Sequence, residues 1–493
     1  MPPFHASERQ GTVLGAVVNL VSTIIGGGML SLPFALERSG LILGLLLLLL
    51  TAIASDYSVY TLVSCSRRSG ARTYEAVAEA AFGPRARQFA MALIVTVTYV
   101  PLIAYSILLR DLMAPVAEEY VFHRPLGRVH CNILAAAALA TVAPACFLRS
   151  LHSLRLLSLL SVLSILLLAA AVLVRSVQCA SGQAANWAGV NLAPHGGVSG
   201  ALQGLPIFVC AFVCHFNVLP VHGELARPTR RRLHRMVHWT MAVVTVFYGV
   251  VSVSGYVYGV CTGHVGDNIL NSFPDDDVFV NLGRVGLIMT ILVSFPLMVV
   301  PCRDTILRVL LPAGGASGNS SENGGCRHCN GNGGGGGGGG SRGSPRGPTM
   351  LPATPPRAEA ELVEPLLAGS ASVCADNTGS IQAAALHGYC GWASEAPSWA
   401  RAAMTTTILV SQFAIAASLT KVADVWGLLG GSANVVVAFV GPSAAYIRIR
   451  QYQRPQKRDA VSHRKRLAWV LLIAATVSAI VCTANNIVIM VTR

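Results

Sequence analysis

Long runs of hydrophobic positions, separated by short polar loops, dominate the chain. A bilayer core about 30 Å thick takes roughly 20 apolar residues as a helix, and windows of this length recur along the sequence. Because backbone groups in lipid must pair within helices or closed barrels, and these runs lack the short alternating pattern of barrel strands, we predict an all-α polytopic membrane protein. The eleven predicted spans cover residues 12–34, 41–64, 88–112, 131–148, 154–174, 200–221, 237–260, 280–300, 402–419, 425–447 and 467–491.

The first predicted span is interrupted near its centre. Gly26, Gly27 and Gly28 follow one another there, shortly after Ser22 and Thr23, and glycine inside a helix costs about 1 kcal/mol relative to alanine. Bare backbone at mid-membrane depth persists only where it is buried in protein or lines a polar cavity. We therefore predict an unwound segment, whose free N–H groups suit a carboxylate and whose free carbonyls suit a cation. Close helix packing through small residues is the alternative interpretation.

The sixth predicted span is the best candidate for a second broken helix, because many transporters pair two of them half a repeat apart. Pro206 and Pro220 lie near its ends, and His215 and Asn217 lie in its later part. A histidine in a membrane span is more often a hydrogen-bonded packing residue than a ligand. Because imidazole titrates near neutral pH, proton coupling through His215 is the second interpretation.

Composition and charge narrow the class of protein. Hydrophobic residues make up 53% of the 493 positions and charged residues 12%, whereas soluble domains carry about 25% charged residues. A net charge of +14 on a soluble protein would suggest nucleic acid, but here the basic residues lie in short loops, so no nucleic-acid partner is predicted. Asp56, Arg284 and Asp304 are the main charges inside spans, each toward a span end, which favours a neutral or zwitterionic substrate. The spans hold no nucleophile–base pair or metal cluster, so we do not predict an enzyme.

The loops differ in charge from one side of the predicted membrane to the other. Those after the second, sixth and tenth spans are rich in Arg and Lys, whereas the loop after the seventh has neither. The loop after the third span is an exception to this alternation. The pattern still predicts a cytosolic N-terminus and a non-cytosolic C-terminus. Two of Cys131, Cys179 and Cys261, all predicted near the non-cytosolic side, could form one disulfide. The glycine-interrupted first span lacks a cleavage site, so we expect it to remain as a transmembrane helix.

The chain divides into four segments. Residues 1–11 form a predicted cytosolic tail, 12–310 hold spans one to eight, and 399–493 hold spans nine to eleven. Residues 311–398 are rich in Gly, Ser and Pro, and we predict a disordered cytosolic loop because they bury too little apolar surface to offset ordering entropy. Cys326 and Cys329 lie in this loop, but no second pair follows at a spacing that zinc would need.

Short motifs recur along the chain in a specific order and spacing. They are Asn19-Leu20, Ile25-Gly26-Gly27-Gly28-Met29-Leu30, Asp56-Tyr57-Ser58, Thr73-Tyr74-Glu75, Phe212-Val213-Cys214-His215, Leu219-Pro220, Gly266-Asp267-Asn268-Ile269-Leu270 and Phe295-Pro296. Together they resemble the amino acid/auxin permease family of amino acid transporters, which includes the sodium-coupled neutral and the vacuolar amino acid transporters. The resemblance covers residues 12–310 and, more loosely, 402–490.

The resemblance implies a leucine-transporter-like fold, in which a 5+5 inverted repeat carries an eleventh helix. It implies that the substrate lies between the broken first and sixth helices, at Gly26, Gly27, Gly28, Met29, Cys210, Ala211 and His215. A cation site would join the first and eighth helices at Ser22, Thr23 and Ser294. Ser22 stands where the sodium-coupled relatives have Asn, and Ser294 where they have Thr, so sodium and proton coupling both stay open. No cofactor, catalytic residue or further metal is implied.

Two functions of different classes follow from the sequence. The first is a secondary active transporter of neutral amino acids, coupled to sodium or protons and working by alternating access in the plasma membrane or a vacuolar or lysosomal membrane. In this hypothesis the substrate carboxylate meets the N–H groups of Gly27, Gly28 and Met29, and its ammonium group meets the carbonyls near Cys210 and Ala211. The second is a membrane amino-acid sensor with vestigial transport, which signals through the loop at 311–398. Deleting the loop distinguishes them, because a sensor would lose signalling while a transporter would keep its flux. The sequence specifies neither the transported amino acid nor an oligomeric state.

Overall fold

The computed structural model describes residues 12–147, 155–182, 189–225, 229–311, 397–453 and 463–492. Within these ranges, ten helices are long and apolar enough to cross a bilayer, and an eleventh span is present if the bent pair at the N-terminus is counted as one. The predicted all-α polytopic fold is therefore confirmed. The predicted loop, with Cys326 and Cys329, lies outside the described residues apart from its first and last positions.

The first part of the chain forms five spans and one short connecting helix. Its helices are α1 (Val13–Ile24), α2 (Leu32–Ser39), α3 (Leu41–Ser69), α4 (Tyr74–Phe82), α5 (Pro84–Ala117), α6 (Arg128–Cys146) and α7 (Arg155–Ser181). The sequence analysis did not predict α4. Thr73 caps it by accepting the N–H of Ala76 at 3.4 Å, and Gly83 ends it with a φ of 90° that favours glycine.

The second part forms the remaining six spans. Its helices are α8 (Val198–Ala211), α9 (His215–Glu224), α10 (Arg230–Cys261), α11 (Val278–Leu310), α12 (Ser398–Ser418), α13 (Val422–Leu429), α14 (Gly441–Gln453) and α15 (His463–Thr492). The pair α8 and α9 makes up the sixth span. The pair α13 and α14 makes up the tenth, joined through two π-helical turns, Gly430–Asn434 and Val436–Val440.

The helices pack so that the broken spans lie inside the bundle. The halves α2 and α8 contact each other, and α10 packs against α1, α2, α3 and α7. Of the most apolar 18 residues of the tenth span, Val422–Gln451, 78% are buried, whereas the corresponding share in α15 is 17%. The eleventh span therefore lies at the periphery, as expected of a helix added to a ten-helix core.

The helix ends form two faces with different chemistry. The basic face carries the arginines at 67–68, 230–232 and the basic residues at 464–466, at one end of α3, α10 and α15. The disulfide face is the opposite one, where Cys179 and Cys261 join the ends of α7 and α10 with their Cα atoms 6.3 Å apart. This bridge is one of the pairs that the sequence allowed.

The start of α11 is fixed to the end of α7 on the disulfide face. Asp277 accepts the N–H groups of Phe279 at 3.1 Å and Val280 at 3.3 Å, and Arg175 Nε donates to it at 2.6 Å. Burial opposes ionisation of this carboxyl, but the hydrogen bonds from Arg175 and the backbone outweigh it, so the pKa of Asp277 lies below its usual value. The carboxylate thus caps one helix and anchors it to another.

Candidate functional site

The first span breaks at the glycines, as predicted. Helix α1 ends at Ile24, Gly26 is extended (φ −146°, ψ −160°), and a 3₁₀ turn over Gly27–Ser31 leads into α2. The axis bends by 54° across the break. None of the three glycines has a positive φ, so a left-handed backbone conformation does not explain why glycine stands at these positions.

The three glycines meet different surroundings. A Cβ added to Gly27 would lie 2.7 Å from Cδ1 of Leu108 and 3.3 Å from Cε1 of Tyr105, so α5 packs directly on this residue. A Cβ on Gly28 would meet no atom within 4 Å, and one on Gly26 would lie 3.5 Å from the Tyr105 hydroxyl. Gly26 and Gly28 are also partly exposed, whereas Gly27 is buried. Open space therefore adjoins Gly28 at the break.

Backbone donors at the first break are only partly used. The N–H of Met29 donates to the carbonyl of Gly26 at 3.2 Å, closing the 3₁₀ turn. Among the described residues, the N–H groups of Gly27 and Gly28 have no hydrogen-bond acceptor. Two of the three N–H groups expected to meet a carboxylate are therefore unengaged, and the third is already bonded.

The sixth span also breaks, between Ala211 at the end of α8 and His215 at the start of α9. The carbonyl of Cys210 accepts the N–H of Val213 at 3.4 Å, and its Sγ accepts Nδ2 of Asn434 at 3.1 Å. The expected free carbonyl at Cys210 is thus already engaged in shaping the break. Its thiol connects the sixth span to the π-helical part of the tenth.

Tyr248 links the two breaks, and sequence reasoning did not find it. Its hydroxyl lies 2.8 Å from the carbonyl oxygen of Ile24, where α1 ends, and 3.2 Å from that of Ala211, where α8 ends. The ring is 1% exposed and meets Phe212 edge-on. One hydroxyl hydrogen therefore bridges the terminal carbonyls of two half-helices from α10.

Aromatic side chains surround the first break. The ring of Tyr105 lies 6.3 Å from that of Phe295 on α11 and 6.2 Å from that of Trp426 on α13. The indole Nε1 of Trp426 is buried and has no hydrogen-bond partner within the described part of the chain. A buried donor without an acceptor is costly, which makes Trp426 a candidate to meet a polar group that enters the open space.

His215 lies at the first position of α9. It is fully buried, neither ring nitrogen has a hydrogen-bond partner among the described residues, and its ring contacts Phe439 edge-on at 6.4 Å. This environment is apolar, so in this conformation His215 resembles neither the hydrogen-bonded packing histidine nor a ligand with a polar partner. Its substrate role stays a prediction.

The three residues predicted to hold a cation are engaged locally. The hydroxyls of Ser22 and Thr23 both donate to the carbonyl of Asn19, at 2.9 and 2.7 Å, and Ser294 donates to Thr290 at 2.8 Å. Helix α1 packs mainly against α10 and α9, and α11 mainly against α5 and α7. No hydrogen bond within the described residues joins Ser294 to Ser22 or Thr23, and the cation site stays a prediction.

The tenth span carries an irregularity that the sequence analysis missed. Its π-helical turns displace carbonyls from the regular ladder, and π turns are often found at functional sites. Ser58 on α3 donates to the carbonyl of Ala438, and Tyr74 at the start of α4 donates to that of Val437 at 3.1 Å. The glycines at 427, 430 and 431 were the only sequence signal of this irregularity.

The charges that the sequence analysis singled out inside spans all have partners within the protein. Arg284 donates to the carbonyl of Leu270 at 2.7 Å and is 1% exposed, and Arg303 pairs with Asp304 at 2.8 Å. Asp56 pairs with His238 at 2.7 Å. Around the breaks, the residues described above are uncharged. The site is therefore suited to a molecule whose own charges can be met by backbone dipoles.

Comparison with known proteins gives a match over nearly the whole chain. The profile of the family described as "Transmembrane amino acid transporter protein" matches residues 9–488. This range includes both breaks and the first ten spans, and it ends within the eleventh.

Individual relatives match at lower coverage. The chain is 27% identical over 296 residues to solute carrier family 38 member 10 of Homo sapiens, covering 60% of this chain and 26% of that protein. It is 30% identical over 323 residues to amino acid transporter AVT6E of Arabidopsis thaliana, covering 62% and 65%. It is 28% identical over 298 residues to vacuolar amino acid transporter 5 of Schizosaccharomyces pombe, covering 60% and 69%. The match thus spans about a quarter of the human relative.

Proposed function

The chain belongs to the transmembrane amino acid transporter family, and from this membership we propose that it is a secondary active transporter of neutral amino acids working by alternating access. The single observation that carries the proposal is the pair of breaks in the first and sixth spans, held together by Tyr248. Discontinuous helices of this kind place backbone donors and acceptors at mid-membrane depth. They offer a polar site without an ionised side chain.

The proposed substrate carboxylate binds the N–H groups of Gly27 and Gly28, at the start of the turn that leads into α2. These two groups have no acceptor among the described residues, and the open space beside Gly28 leaves room for a ligand. The partial positive charge at this helix end favours an anion. Trp426 supplies a further donor at the edge of the same aromatic cluster.

The ammonium group requires acceptors, and the end of α1 offers them. Within the described residues, the carbonyls of Ser22 and Thr23 accept no backbone N–H beyond the break, whereas those of Cys210 and Ala211 are already bonded. We therefore place the ammonium group, or a coupling cation beside it, nearer the end of α1 than the end of α8. The negative end of the α1 dipole favours a positive charge there.

The coupling ion is sodium or a proton. A hydroxyl that donates to a backbone carbonyl keeps acceptor lone pairs, so Ser22, Thr23 and Ser294 remain usable by sodium if α1 and α11 approach each other during the transport cycle. His215 is the alternative, as a proton acceptor that the break could expose.

The membrane orientation belongs to the same proposal. By the positive-inside rule, the arginines of the basic face support a cytosolic position for that face, with the disulfide face on the other side. The names of two relatives, a vacuolar amino acid transporter and an amino acid transporter, support an amino acid substrate. We assign the chain to the plasma membrane or to a vacuolar or lysosomal membrane.

Reconstitution tests the proposal directly. Purified protein in liposomes is given a radiolabelled mixture of amino acids under a sodium gradient, a proton gradient or neither. Uptake that depends on one gradient establishes secondary transport and identifies the coupling ion. Folded protein that takes up no amino acid under any gradient overturns the proposal.

A further inference from the structure

Three titratable side chains form a continuous hydrogen-bonded chain on the basic face, away from the breaks. Asp56 Oδ1 on α3 lies 2.7 Å from His238 Nδ1 on α10, and His238 Nε2 lies 2.7 Å from His234 Nδ1 one turn earlier on α10. The Asp56 side chain is 20% exposed and that of His238 is 56% exposed. The chain therefore runs from a largely buried carboxylate to an imidazole that is more than half exposed at the protein surface.

A third helix joins this cluster through an aromatic ring. The ring of Tyr60, on α3, lies 4.4 Å from that of His234. Arg464, at the start of α15, donates to the Tyr60 hydroxyl at 2.8 Å, and its guanidinium carbon lies 5.2 Å from the centre of the same ring. The charges that act on His234 are thus Asp56 and Arg464 together with His238.

The geometry accommodates one extra proton on the two imidazoles but not two. With both imidazoles neutral, His234 Nδ1–H donates to His238 Nε2, and His238 Nδ1–H donates to the Asp56 carboxylate, so the cluster of three carries one negative charge. One added proton at His234 Nε2 leaves both hydrogen bonds intact and makes the cluster neutral. A second proton would place two N–H donors face to face at His238 Nε2 and His234 Nδ1, where the observed separation is 2.7 Å. The contact would then have to break.

We propose that Asp56, His238 and His234 form a proton-binding site on the basic face and that its occupancy changes the rate of transport. Imidazoles change charge between about pH 5 and 8, so the site is suited to sensing pH on the side that we assign to the cytosol. The first proton neutralises the cluster while it joins α3 to α10. The second proton breaks the contact between His234 and His238, next to the positive charge of Arg464.

The route from this site to the substrate site runs along α10. His238 and Tyr248 belong to this one helix, about 15 Å apart along its axis at about 1.5 Å per residue. Tyr248 holds the ends of α1 and α8. A shift of α10 against α3 would therefore move the hydroxyl that fixes both breaks. This effect on transport rests on the proposed function, whereas proton binding by the cluster does not.

Transport against pH is the first test. Uptake by full-length protein in liposomes is measured at equal pH on both sides, from about pH 5 to 8, for the wild type, His234→Gln, His238→Gln and the double variant. Glutamine keeps hydrogen-bonding groups but does not titrate. We expect the wild-type rate to change at least about threefold across a titration of this kind, and the double variant to lose most of that change. His463→Gln, an exposed histidine on the same face, is the matched control and should keep the wild-type profile.

Proton binding is tested independently of transport. NMR of purified full-length protein, nitrogen-15-labelled in its histidines, follows the rings against pH, with His234 and His238 assigned from the two glutamine variants. We expect a coupled titration, in which removing one ring shifts the midpoint of the other, and in which Asp56→Asn shifts both. If the wild type transports nothing, the proposed function fails while this measurement still judges the site. Two rings that titrate independently, or a double glutamine variant with an unchanged pH profile of uptake, would overturn the proposal.

Discussion

The Tyr248 hydroxyl donates to the carbonyl oxygen of Ile24 across 2.8 Å, at the point where the first half-helix ends. The same hydroxyl also lies within hydrogen-bond distance of Ala211, where the other broken span ends. The last carbonyls of a helix have no partner within it, and here one side chain from a third helix serves two of them. One buried hydroxyl therefore ties the ends of the two broken helices to α10, in addition to the direct packing of α2 on α8.

Replacing Tyr248 with phenylalanine keeps the ring but removes the bridge. Two buried carbonyls would lose their partner, so we expect stability to fall by about 1–3 kcal/mol and amino acid uptake to fall by a larger factor than stability alone explains. Thermal unfolding and initial uptake rates of the purified protein measure the two effects.

Tyr256→Phe is the control for this variant. Tyr256 lies on the same helix, is also fully buried, and its hydroxyl accepts the N–H of Asn191 at 2.8 Å, away from both breaks. It should cost similar stability and leave uptake by the folded fraction nearly unchanged. Equal uptake from folded Tyr248→Phe and Tyr256→Phe protein would contradict a role for the bridge in transport.

Substitutions at Gly28 and Gly27 distinguish an effect on ligand binding from an effect on helix packing. An alanine methyl at Gly28 enters open space, so Gly28→Ala should fold with near-wild-type stability yet lower the apparent affinity for the substrate. The methyl of Gly27→Ala would lie 2.7 Å from Leu108 Cδ1, and overpacking of this kind costs about 1–3 kcal/mol. Gly27→Ala should therefore lower the melting temperature more than Gly28→Ala does. Gly28→Ala should raise the substrate concentration at half-maximal uptake more than Gly27→Ala does. A Gly28→Ala protein that binds substrate normally would exclude the proposed carboxylate position.

The Cys179–Cys261 bridge should account for a measurable share of stability. Replacing both residues with serine is expected to lower the unfolding free energy by about 2–4 kcal/mol, and a reducing agent should lower the melting temperature of the wild type but not of the double variant. Cys131→Ser is the control, because that thiol is buried and free. If thiol labelling under non-reducing conditions modified Cys179 and Cys261 in native protein, the pairing would be wrong.

Asp277 should give the disulfide face a defined response to acid. Because the pKa of Asp277 is depressed in the folded protein, its contribution is complete above the unfolded-state pKa of about 3.9 and is lost as the pH falls through the folded-state value. Asp277→Ala should therefore cost about 0.5–2 kcal/mol near neutral pH, as expected for a lost helix cap. Relative to the wild type, that cost should shrink in acid. Unfolding curves of both proteins at several pH values measure this stability difference. A difference that grew as the pH fell would contradict the predicted direction.

Sequence reasoning located the breaks because their signal is local. Three consecutive glycines cannot be stable helix interior, and a second irregular span is expected half a repeat later. The role of Tyr248 could not be found in this way. A tyrosine in an apolar helix has the same local pattern whether its hydroxyl meets lipid headgroups, water or two helix ends, and only the tertiary arrangement of α10 decides between them.

The same limit applies to the carbonyls and to α4. The carbonyls near Cys210 and Ala211 were expected to meet the ammonium group of the substrate, but Val213 and Tyr248 already donate to them. The helix α4 had a local signal in its capping residue Thr73 and in Gly83, but it is too short to be found from the length of a hydrophobic span.

The Cys179–Cys261 bridge also bears on how the chain is made. Its cysteines are separated by 82 positions and end the fifth and seventh spans, so the bond can close only after the whole of α10 has been synthesised and threaded. Disulfides form in oxidising compartments such as the lumen of the endoplasmic reticulum. Closure of this bond therefore requires that the ends of the fifth and seventh spans have reached the same, oxidising side of the membrane.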